Sequence, residues 1–509
     1  MPTIINTGNL SEAKSAQMAT LDRQQVYCGL DSCLTREIHP KLKSQLDEET
    51  KIIYDFERAL QAPVLDMMTR GILTDPWEVS KLLSIYGKKK ARIYYIIQKF
   101  AIIVWGRDLN PNSPKQMKEF FYERMNVDPI YKFEKGRRTI TTNRDALEQM
   151  QQYRYIRPIA TAVIAYRDMS KKIGVLRSGI DTDQRMRFSY NIGGTNTGRF
   201  SCNKNVFGGG TSGQNITDEL RQIFVADEGK KLAYLDLEQA ESRVTAYVSG
   251  DEAYIEACES DDLHVFVAKM VWPELNWSGD PELDKEKAEA TFWHHWSRRD
   301  LSKRGGHLLN YYGQPKSNAK NLHVSIEVMT KFYRNYFRVF KGIKQIHSDV
   351  SIEIQTGRPP RIVTPLGRAR LFFGRSYDDD VLRKAIAYRP QSTVADILNL
   401  GMWRIWKYMP DVQLLAQLHD AVLIQYDDDP RVEQDVLGRA IVLMTIPVMV
   451  TDIARRGGVT RRMVIPVDAS VGWNWGKSKH SPDGLKAYKV GDDRVRQVSP
   501  SDDIMKRKM

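Results

Sequence analysis

Two aspartates in this sequence, Asp236 and Asp420, lie at the ends of apolar segments, where an ionised carboxylate is costly unless a cation meets it. Asp236 follows the strand-like "KLAYL", and Asp420 falls at the turn of a predicted strand–turn–strand, "LLAQLHDAVLIQY". Carboxylates at the tips of adjacent strands could hold two divalent cations, as in phosphoryl transfer, and an all-oxygen site suits magnesium. Taken alone, each aspartate also fits a turn or a helix cap, so this hypothesis depends on other motifs.

A basic helix supplies the complementary charge. The segment 298–313, "RRDLSKRGGHLLNYYG", places Arg299 and Lys303 four residues apart on one predicted helical face. Cations one turn apart can bind a triphosphate, and Lys303 can neutralise charge on the leaving pyrophosphate. His307 is one turn further on, and Tyr311 and Tyr312 precede a glycine, where an aromatic ring could stack on a base. A solvated basic helix is the alternative.

The elements that must position these side chains follow from periodicity. Helical spacing of apolar residues runs from 54 to 98, in two helices joined through "RGILTDP", and again in one long stretch from 142 to 174. Strands and a glycine-rich loop, "FGGGTSGQN", are predicted between 186 and 236. Helices return from 240 to about 340, and a short hairpin, a helix and the Asp420 hairpin follow. The sequence therefore predicts a mixture of helices and strands.

Composition narrows the class of protein. The 509 residues are too many for one ordinary core, so two to four domains are expected, and the net charge of +13 favours a polyanionic partner such as nucleic acid. The sequence lacks an apolar run long enough to span a membrane and lacks a secretion signal. Its cysteines show no paired CxxC pattern, which favours a reducing compartment. The predicted location is the cytoplasm, or the host cytoplasm if the source is a phage.

Several motifs, taken together, resemble those of the family A DNA polymerases, the DNA polymerase I family. "TNTGRFS" (195–201) is similar to T-x-T-G-R-[LF]-S, and "DLEQAESR" (236–243) resembles motif A, D-Y-S-Q-I-E-L-R. The basic helix resembles motif B, R-x3-K-x6-Y-G or its phage variants, and "QLHDAV" (417–422) resembles motif C, Q-V-H-D-E-V. Shorter matches in the family's order are "RGILTD", "NPNSPKQM", "DDLH", "QSTVADI" and "GWNW". The resemblance extends from Tyr54 to Trp475.

The resemblance implies an α+β chain with right-hand polymerase architecture, in which a palm with an antiparallel sheet carries helical fingers and thumb. The implied divisions are 1–52, an exonuclease-domain remnant or N-terminal extension; 53–180, the helical thumb region and its base; 181–255, the first part of the palm; 256–395, the fingers; 396–475, the second part of the palm; and 476–509, a polar C-terminal tail.

The resemblance also implies an activity, template-directed extension of a DNA primer with dNTPs, using two Mg²⁺ ions that Mn²⁺ may replace. Asp236, Asp420 and Lys303 would be the catalytic residues, and Asp236, Asp420 and the backbone carbonyl of Leu237 would bind the metal. Glu241 would exclude a ribose 2′-hydroxyl and pair with the motif B tyrosine, taken as Tyr312. The residues implied to bind the dNTP are Leu237, Glu238, Gln239, Glu241, Arg299, Lys303, His307 and Tyr312.

Four further residues would bind DNA: Arg199 and His419 at the primer terminus, and Arg383 and Gln391 along the duplex near the junction. The expected partners are primer–template DNA and dNTPs, with other replication proteins or a separate exonuclease subunit as further candidates. The phage-like wording of motif B suggests a phage replicase.

Four departures from the family pattern affect these expectations, one of which is the insertion "NKNVFGGGTSG" before Gln214, longer than usual and expected to be a loop. Motif C has Ala421 where the family has glutamate, so the contact made by that side chain is missing, and activity is expected to survive. Motif B carries one extra residue, which places His307 where the family has Phe or Tyr and leaves the tyrosine register open. Near the N-terminus, Tyr27 and Asp31 have the Y-x3-D spacing of the family's proofreading exonuclease, but too few residues precede them, so intrinsic proofreading is not expected.

Two rival functions remain. A single-subunit RNA polymerase shares the palm and a motif C of H-D type, but Glu241 argues against it because a bulky acid under the sugar excludes ribonucleotides. Ala421 and the irregular motif B suggest the second alternative, a catalytically impaired, polymerase-like replication factor that only binds DNA.

Overall fold

The structure is a computed structural model that describes residues 23–134, 137–203, 212–293, 296–453, 458–477 and 484–488. Most of the predicted glycine-rich loop, most of the polar C-terminal tail and the first 22 residues of the predicted N-terminal extension lie outside these ranges.

Helices make up most of the described chain. They are α1 Arg23–Lys43, α2 Glu48–Ala59, α3 Gln61–Arg70, α4 Pro76–Trp105, α5 Pro114–Lys118, α6 Arg144–Met150, α7 Arg157–Ser178, α8 Asp218–Arg221, α9 Ala240–Ser249, α10 Glu252–Glu259, α11 Leu263–Val271, α12 Pro281–Glu289, α13 Arg298–Asn310, α14 Pro315–Leu322, α15 Ile326–Val339, α16 Lys341–Thr356, α17 Asp379–Tyr408 and α18 Pro430–Met444. A π-helical turn, Glu119–Arg124, continues α5, and a 3₁₀ turn spans Gly213–Asn215.

The strands are short apart from those of one central sheet. They are β1 Ile72–Leu73, β2 Tyr131–Glu134, β3 Arg137–Ile140, β4 Arg185–Met186, β5 Ser189–Asn191, β6 Ser201–Asn203, β7 Lys230–Leu237, β8 Thr291–Trp293, β9 Trp296–Ser297, β10 Arg361–Val363, β11 Ala369–Leu371, β12 Gln413–Leu418, β13 Ala421–Asp427, β14 Val448–Thr451, β15 Thr460–Met463, β16 Val467–Gly472 and β17 Lys486–Tyr488.

The central sheet has five antiparallel strands in the order β12-β13-β7-β16-β17. Strands β12 and β13 are buried along nearly their whole length, since their runs of Leu, Ala, Val and Ile can pack on both faces. The long helix α17 packs against this part of the molecule and buries most of its own surface. The predicted strand at Asp236 and the predicted hairpin at Asp420 are therefore both present, as neighbours in one sheet.

Apolar side chains form three clusters in the described chain. The largest surrounds the central sheet and α17, the second joins helices between Ala246 and Ile343, and the third joins α4, the segment after α5, and α7. The α+β class is confirmed. The predicted domain boundaries stay a prediction, because the clusters do not fix where one domain ends and the next begins.

Two predicted helices were wrong in their extent. The stretch from 142 to 174 is two helices, because α6 ends at Met150 and α7 begins at Arg157. Pro158 lies in the first turn of α7, where its missing N–H costs nothing, and proline disfavours helical geometry in the residue before it. Of the two helices joined through "RGILTDP", the second is confirmed as α4, with Asp75 as its cap, but the first is divided into α2 and α3 at Leu60.

Candidate active site

The central sheet brings Asp236 and Asp420 to the same end. Asp236 is directly opposite Ala421 on the paired strands β7 and β13, and the Leu237 N–H donates a hydrogen bond of 2.9 Å to the Asp420 carbonyl. His419 and Asp420 form the two-residue turn between β12 and β13, and His419 has a φ of 24°. Strained backbone of this kind persists only where the surrounding structure enforces it, and it clusters at functional sites.

A third carboxylate, Asp468, lies on the other side of Asp236. Strand β16 pairs with β7 so that Asp468 is directly opposite Asp236. Burial, followed by the charges of Asp420 and Asp468, raises the pKa of Asp236 to about 7. Burial also raises the pKa of Asp420. Sequence reasoning missed Asp468, although a carboxylate within the strand-like "PVDASVG" was a possible signal.

A cleft of about 600 Å³ lies between this end of the sheet and α13. Seven of the residues singled out in the sequence line it: Arg199, Gln239, Glu241, Lys303, His307, His419 and Asp420. Lys303 is exposed in the cleft. Its positive charge partly offsets the effect of burial and of the neighbouring carboxylates, which raise the pKa of Asp236. The cleft therefore places a helix cation opposite Asp420, while Asp236, on the neighbouring strand, is not among the residues that line the cleft.

The tyrosine that meets Glu241 is Tyr311. Its hydroxyl donates a hydrogen bond to Glu241, whose carboxylate also pairs with the Arg199 guanidinium. Burial, followed by the Glu241 charge, raises the pKa of Tyr311 well above 10, so the phenol keeps its proton. His307 packs edge-on against the Tyr311 ring at 4.8 Å between centroids, with its Nδ1 3.9 Å from Glu241.

The prediction that Tyr312 pairs with Glu241 is therefore wrong. Helix α13 ends at Asn310, and Tyr312 has a φ of 66°, which turns its side chain away from the cleft. The Tyr312 ring lies edge-on to His347 at 5.5 Å and lines a separate cavity with Tyr333 and Phe337. Motif B carries one extra residue, and the tyrosine that pairs with Glu241 is one position earlier than predicted, Tyr311 in place of Tyr312.

Arg299 is held by a carboxylate. Its Nε donates a hydrogen bond of 2.8 Å to Asp262, which also caps α11 through two backbone N–H groups. Burial favours protonation of Asp262, but these bonds outweigh it, and the pKa of Asp262 is lowered. Arg299 is not among the residues that line the cleft.

His264 belongs to the cleft but was missed as a site residue. It lies in the first turn of α11 and lines the cleft with Lys303. Burial lowers the pKa of His264 to about 4, so the ring is neutral near pH 7. The short match "DDLH" was the signal that could have identified it.

The remaining motif A residues, Glu238 and Gln239, lie where β7 passes into α9. Gln239 has a φ of 51°, and its side-chain amide donates a 3.2 Å hydrogen bond to Glu238. The buried Arg243 lies 3.8 Å from Glu238 and 2.8 Å from Glu259. Burial raises the pKa of Glu238.

The predicted DNA-binding residues are divided between the cleft and α17. His419 lines the cleft, and its Nε2 donates a 3.1 Å hydrogen bond to the Gln214 carbonyl, which can only accept. Gln391 is half-buried on α17, one turn before the cleft-lining Val394. Arg383 is exposed more than two turns earlier and bonds the Asp379 carbonyl.

The donors at the end of the sheet fit a divalent cation. Asp236 and Asp420 offer carboxylate oxygens, and their mutual repulsion is what a cation would relieve. Among the residues that the structure describes, no three His, Cys, Asp or Glu side chains are already gathered to hold a metal. An ion at this place would therefore draw on backbone oxygen, water or substrate as well.

The fold and the cleft define this chain as a polymerase-type protein by architecture, and comparison with known proteins gives its family. The family model "DNA polymerase family A" matches residues 81–477, so the chain belongs to DNA polymerase family A. The family resemblance inferred from the motifs is confirmed.

Individual relatives are distant. The chain is 26% identical over 483 residues to DNA polymerase I of Chloroflexus aurantiacus, covering 88% of this chain and 46% of that protein. It is 25% identical over 363 residues to DNA polymerase I of Helicobacter pylori, covering 67% of this chain and 37% of that protein. The chain thus spans less than half the length of these curated relatives.

A solved structure shows the same fold. The POL domain of Pol1 from M. smegmatis, in complex with a DNA primer-template and dNTP, matches with a TM-score of 0.65 and 23% identity, over 82% of this chain and 70% of that one.

None of the described helices combines the length and apolar character needed to cross a membrane.

Proposed function

We propose that this chain is a template-directed DNA polymerase that extends a primer with dNTPs. The observation that carries the proposal is the meeting of Asp236 and Asp420 at one end of paired strands, beside a cleft that Asp420 and Lys303 line. Family membership supports the reading, since the matched relatives are named DNA polymerase I.

The chain's own residues would divide the work as follows. Asp236 and Asp420, with the Leu237 carbonyl, would hold two divalent cations, Mg²⁺ or in its place Mn²⁺. Bound there, such ions supply a lowered pKa for the primer 3′-hydroxyl and shielding for the triphosphate. Lys303 would neutralise charge on the leaving pyrophosphate, and Arg299, once released from Asp262, would bind the triphosphate beside it.

Glu241 would select the sugar. Its carboxylate is fixed at the cleft by Tyr311 and Arg199, so a ribose 2′-hydroxyl placed against it would meet a group that cannot move aside without breaking two bonds. His307 packs against Tyr311 from the cleft side and would contact the same part of the nucleotide. Selection of deoxyribose therefore follows from how rigidly Glu241 is held.

The primer–template would lie along the basic side of the cleft. Arg199 and His419 lie next to Asp420 and would contact the primer terminus, while Gln391 and Arg383 on α17 would follow the duplex. The net charge of +13 supports a phosphate-bearing partner. A replicative role, the absence of proofreading, a phage source, a cytoplasmic location and a partner subunit stay predictions.

Primer extension by the full chain tests the proposal. A labelled primer on a DNA template is incubated with Mg²⁺ and either dNTPs or NTPs, with a dideoxy-terminated primer as the control. We expect extension with dNTPs alone, directed by the template, and none from the blocked primer. Preference for NTPs would show an RNA polymerase instead, and tight DNA binding without any extension would show a DNA-binding factor.

A further inference from the structure

Three residues form a row across the central sheet at the end where the aspartates meet. Ala421 on β13, Asp236 on β7 and Asp468 on β16 are directly opposite one another in the two registers. Side chains of directly paired residues lie on the same face of a sheet, with Cβ atoms roughly 5 Å apart. Asp236 is therefore flanked by a methyl group on one side and a carboxylate on the other.

The residues on the two sides of Asp236, Ala421 and Asp468, differ in charge. Motif C carries alanine at 421, and Ala421 is fully buried, so the residue opposite Asp236 on β13 brings no carboxylate. Asp468 is exposed, and among the described residues no Lys, Arg or His side chain forms an ion pair with it. Of the two residues directly opposite Asp236 on the neighbouring strands, Asp468 is the carboxylate.

Like charges directly opposite on paired strands destabilise a sheet, so this arrangement needs a reason. Among the described residues no cation forms an ion pair with either carboxylate, although the Lys303 charge acts on Asp236, and both carboxylates lie at the end of the sheet that carries Asp420. A divalent cation at Asp236 would convert the repulsion into attraction.

We propose that Asp468 is a positioning residue for the metal site, supplying from β16 the accessory carboxylate that position 421 lacks. Asp468 would act through a water molecule on the ion held by Asp236 and Asp420, because the described side chains do not already gather three ligands around one point. This role of Asp468 rests on the proposed polymerase function, but its effect on metal binding can be measured without that function.

Binding of Mn²⁺ alone to the full chain measures the effect directly. Free Mn²⁺ is followed by its electron paramagnetic resonance signal during titration of the wild type, Asp468→Asn and the conservative Asp468→Glu. Because outer partners of metal ligands typically contribute 10–100-fold to affinity, we expect Asp468→Asn to weaken Mn²⁺ binding about 10-fold and Asp468→Glu to restore most of it.

Asp427→Asn is the matched control. Asp427 ends β13 at the opposite end of the sheet and pairs with Lys230, so its loss should leave Mn²⁺ affinity unchanged. Without metal, Asp468→Asn should melt at the wild-type temperature or above it, since the substitution removes a repulsion. A lower melting temperature would point to a structural role and overturn the inference.

Primer extension separates this inference from the proposed function. We expect Asp468→Asn to need a higher Mg²⁺ concentration for half-maximal extension, with the rate largely recovered at saturating Mg²⁺. If the wild type extends primers and Asp468→Asn matches it in Mn²⁺ affinity and Mg²⁺ requirement, the role of Asp468 is refuted while the polymerase stands. If the wild type extends nothing, the proposed function fails, whatever the Mn²⁺ titration gives.

Discussion

The Tyr311 hydroxyl donates a hydrogen bond to the Glu241 carboxylate, and this bond ties the end of α13 to the start of α9. A hydrogen bond to a charged group contributes about 1.5–3 kcal/mol, and without it the Glu241 carboxylate would keep the Arg199 ion pair and the more distant His307.

Tyr311→Phe should therefore reduce selection against ribonucleotides. The looser Glu241 can yield to a 2′-hydroxyl, and we expect the ratio of kcat/KM for dNTP to that for NTP to fall about 10-fold or more, the equivalent of one such bond. Tyr312→Phe is the matched control, because Tyr312 packs on His347 outside the cleft. A larger effect from Tyr312 than from Tyr311 would overturn the assignment.

Lys303→Ala should damage catalysis more than the neighbouring Arg304→Ala. Both residues line the cleft, but the Lys303 charge acts on Asp236, whereas the Arg304 guanidinium lies 5.1 Å from the Trp296 ring. Removal of a preorganised group that stabilises transition-state charge costs about 100–1,000-fold in kcat, which is the loss expected for Lys303. Single-turnover dNTP incorporation gives both values, and equal losses would contradict the role of Lys303.

His264 should make stability depend on pH below neutrality. Its pKa is about 4 in the folded chain against 6.5 for the free side chain, so between these values the unfolded chain binds more protons. The favourable contribution is complete above pH 6.5 and is lost as pH falls towards 4. Relative to His264→Gln, the wild type should lose about 1–2 kcal/mol of stability between pH 7 and pH 5, measured by denaturant unfolding. Parallel pH profiles would exclude a buried neutral His264.

Asp396→Asn should destabilise the fold strongly. Asp396 is fully buried and accepts hydrogen bonds from the Arg368 Nε at 3.0 Å and Nη2 at 2.8 Å, so its loss leaves a largely buried guanidinium with Glu57 alone. Breaking a buried ion pair on one side costs about 3–5 kcal/mol.

The comparison for that prediction is Asp380→Asn on the same helix, where an exposed pair with Lys384 contributes less than about 1 kcal/mol. The Arg368 guanidinium also lies beneath Gly198, whose φ is 75° and where a Cβ would come within 2.7 Å of it. Asp396→Asn should for this reason also disturb the segment that presents Arg199. Equal melting temperatures for the two variants would contradict the account.

Local pattern was enough to predict the strand that carries Asp236, the hairpin that carries Asp420 and the basic helix α13, because each follows from apolar periodicity over a few residues. The pattern could not predict whether Tyr311 or Tyr312 pairs with Glu241. That choice depends on the end of α13 at Asn310 and on the positive φ of Tyr312. Asp468 was missed for another reason: its importance comes from the register between β16 and β7, strands that are distant in sequence.

The pairing of Asp236 with Asp420 is tested most directly by Asp420→Asn in a single-turnover primer-extension assay, with affinity for the same primer–template measured in parallel. Asparagine keeps the shape of the turn and removes the charge that would hold a cation. We predict that extension falls by about 1,000-fold or more while DNA affinity stays within a few-fold of wild type. Extension at the wild-type rate, with DNA binding intact, would show that this carboxylate is not part of the catalytic site.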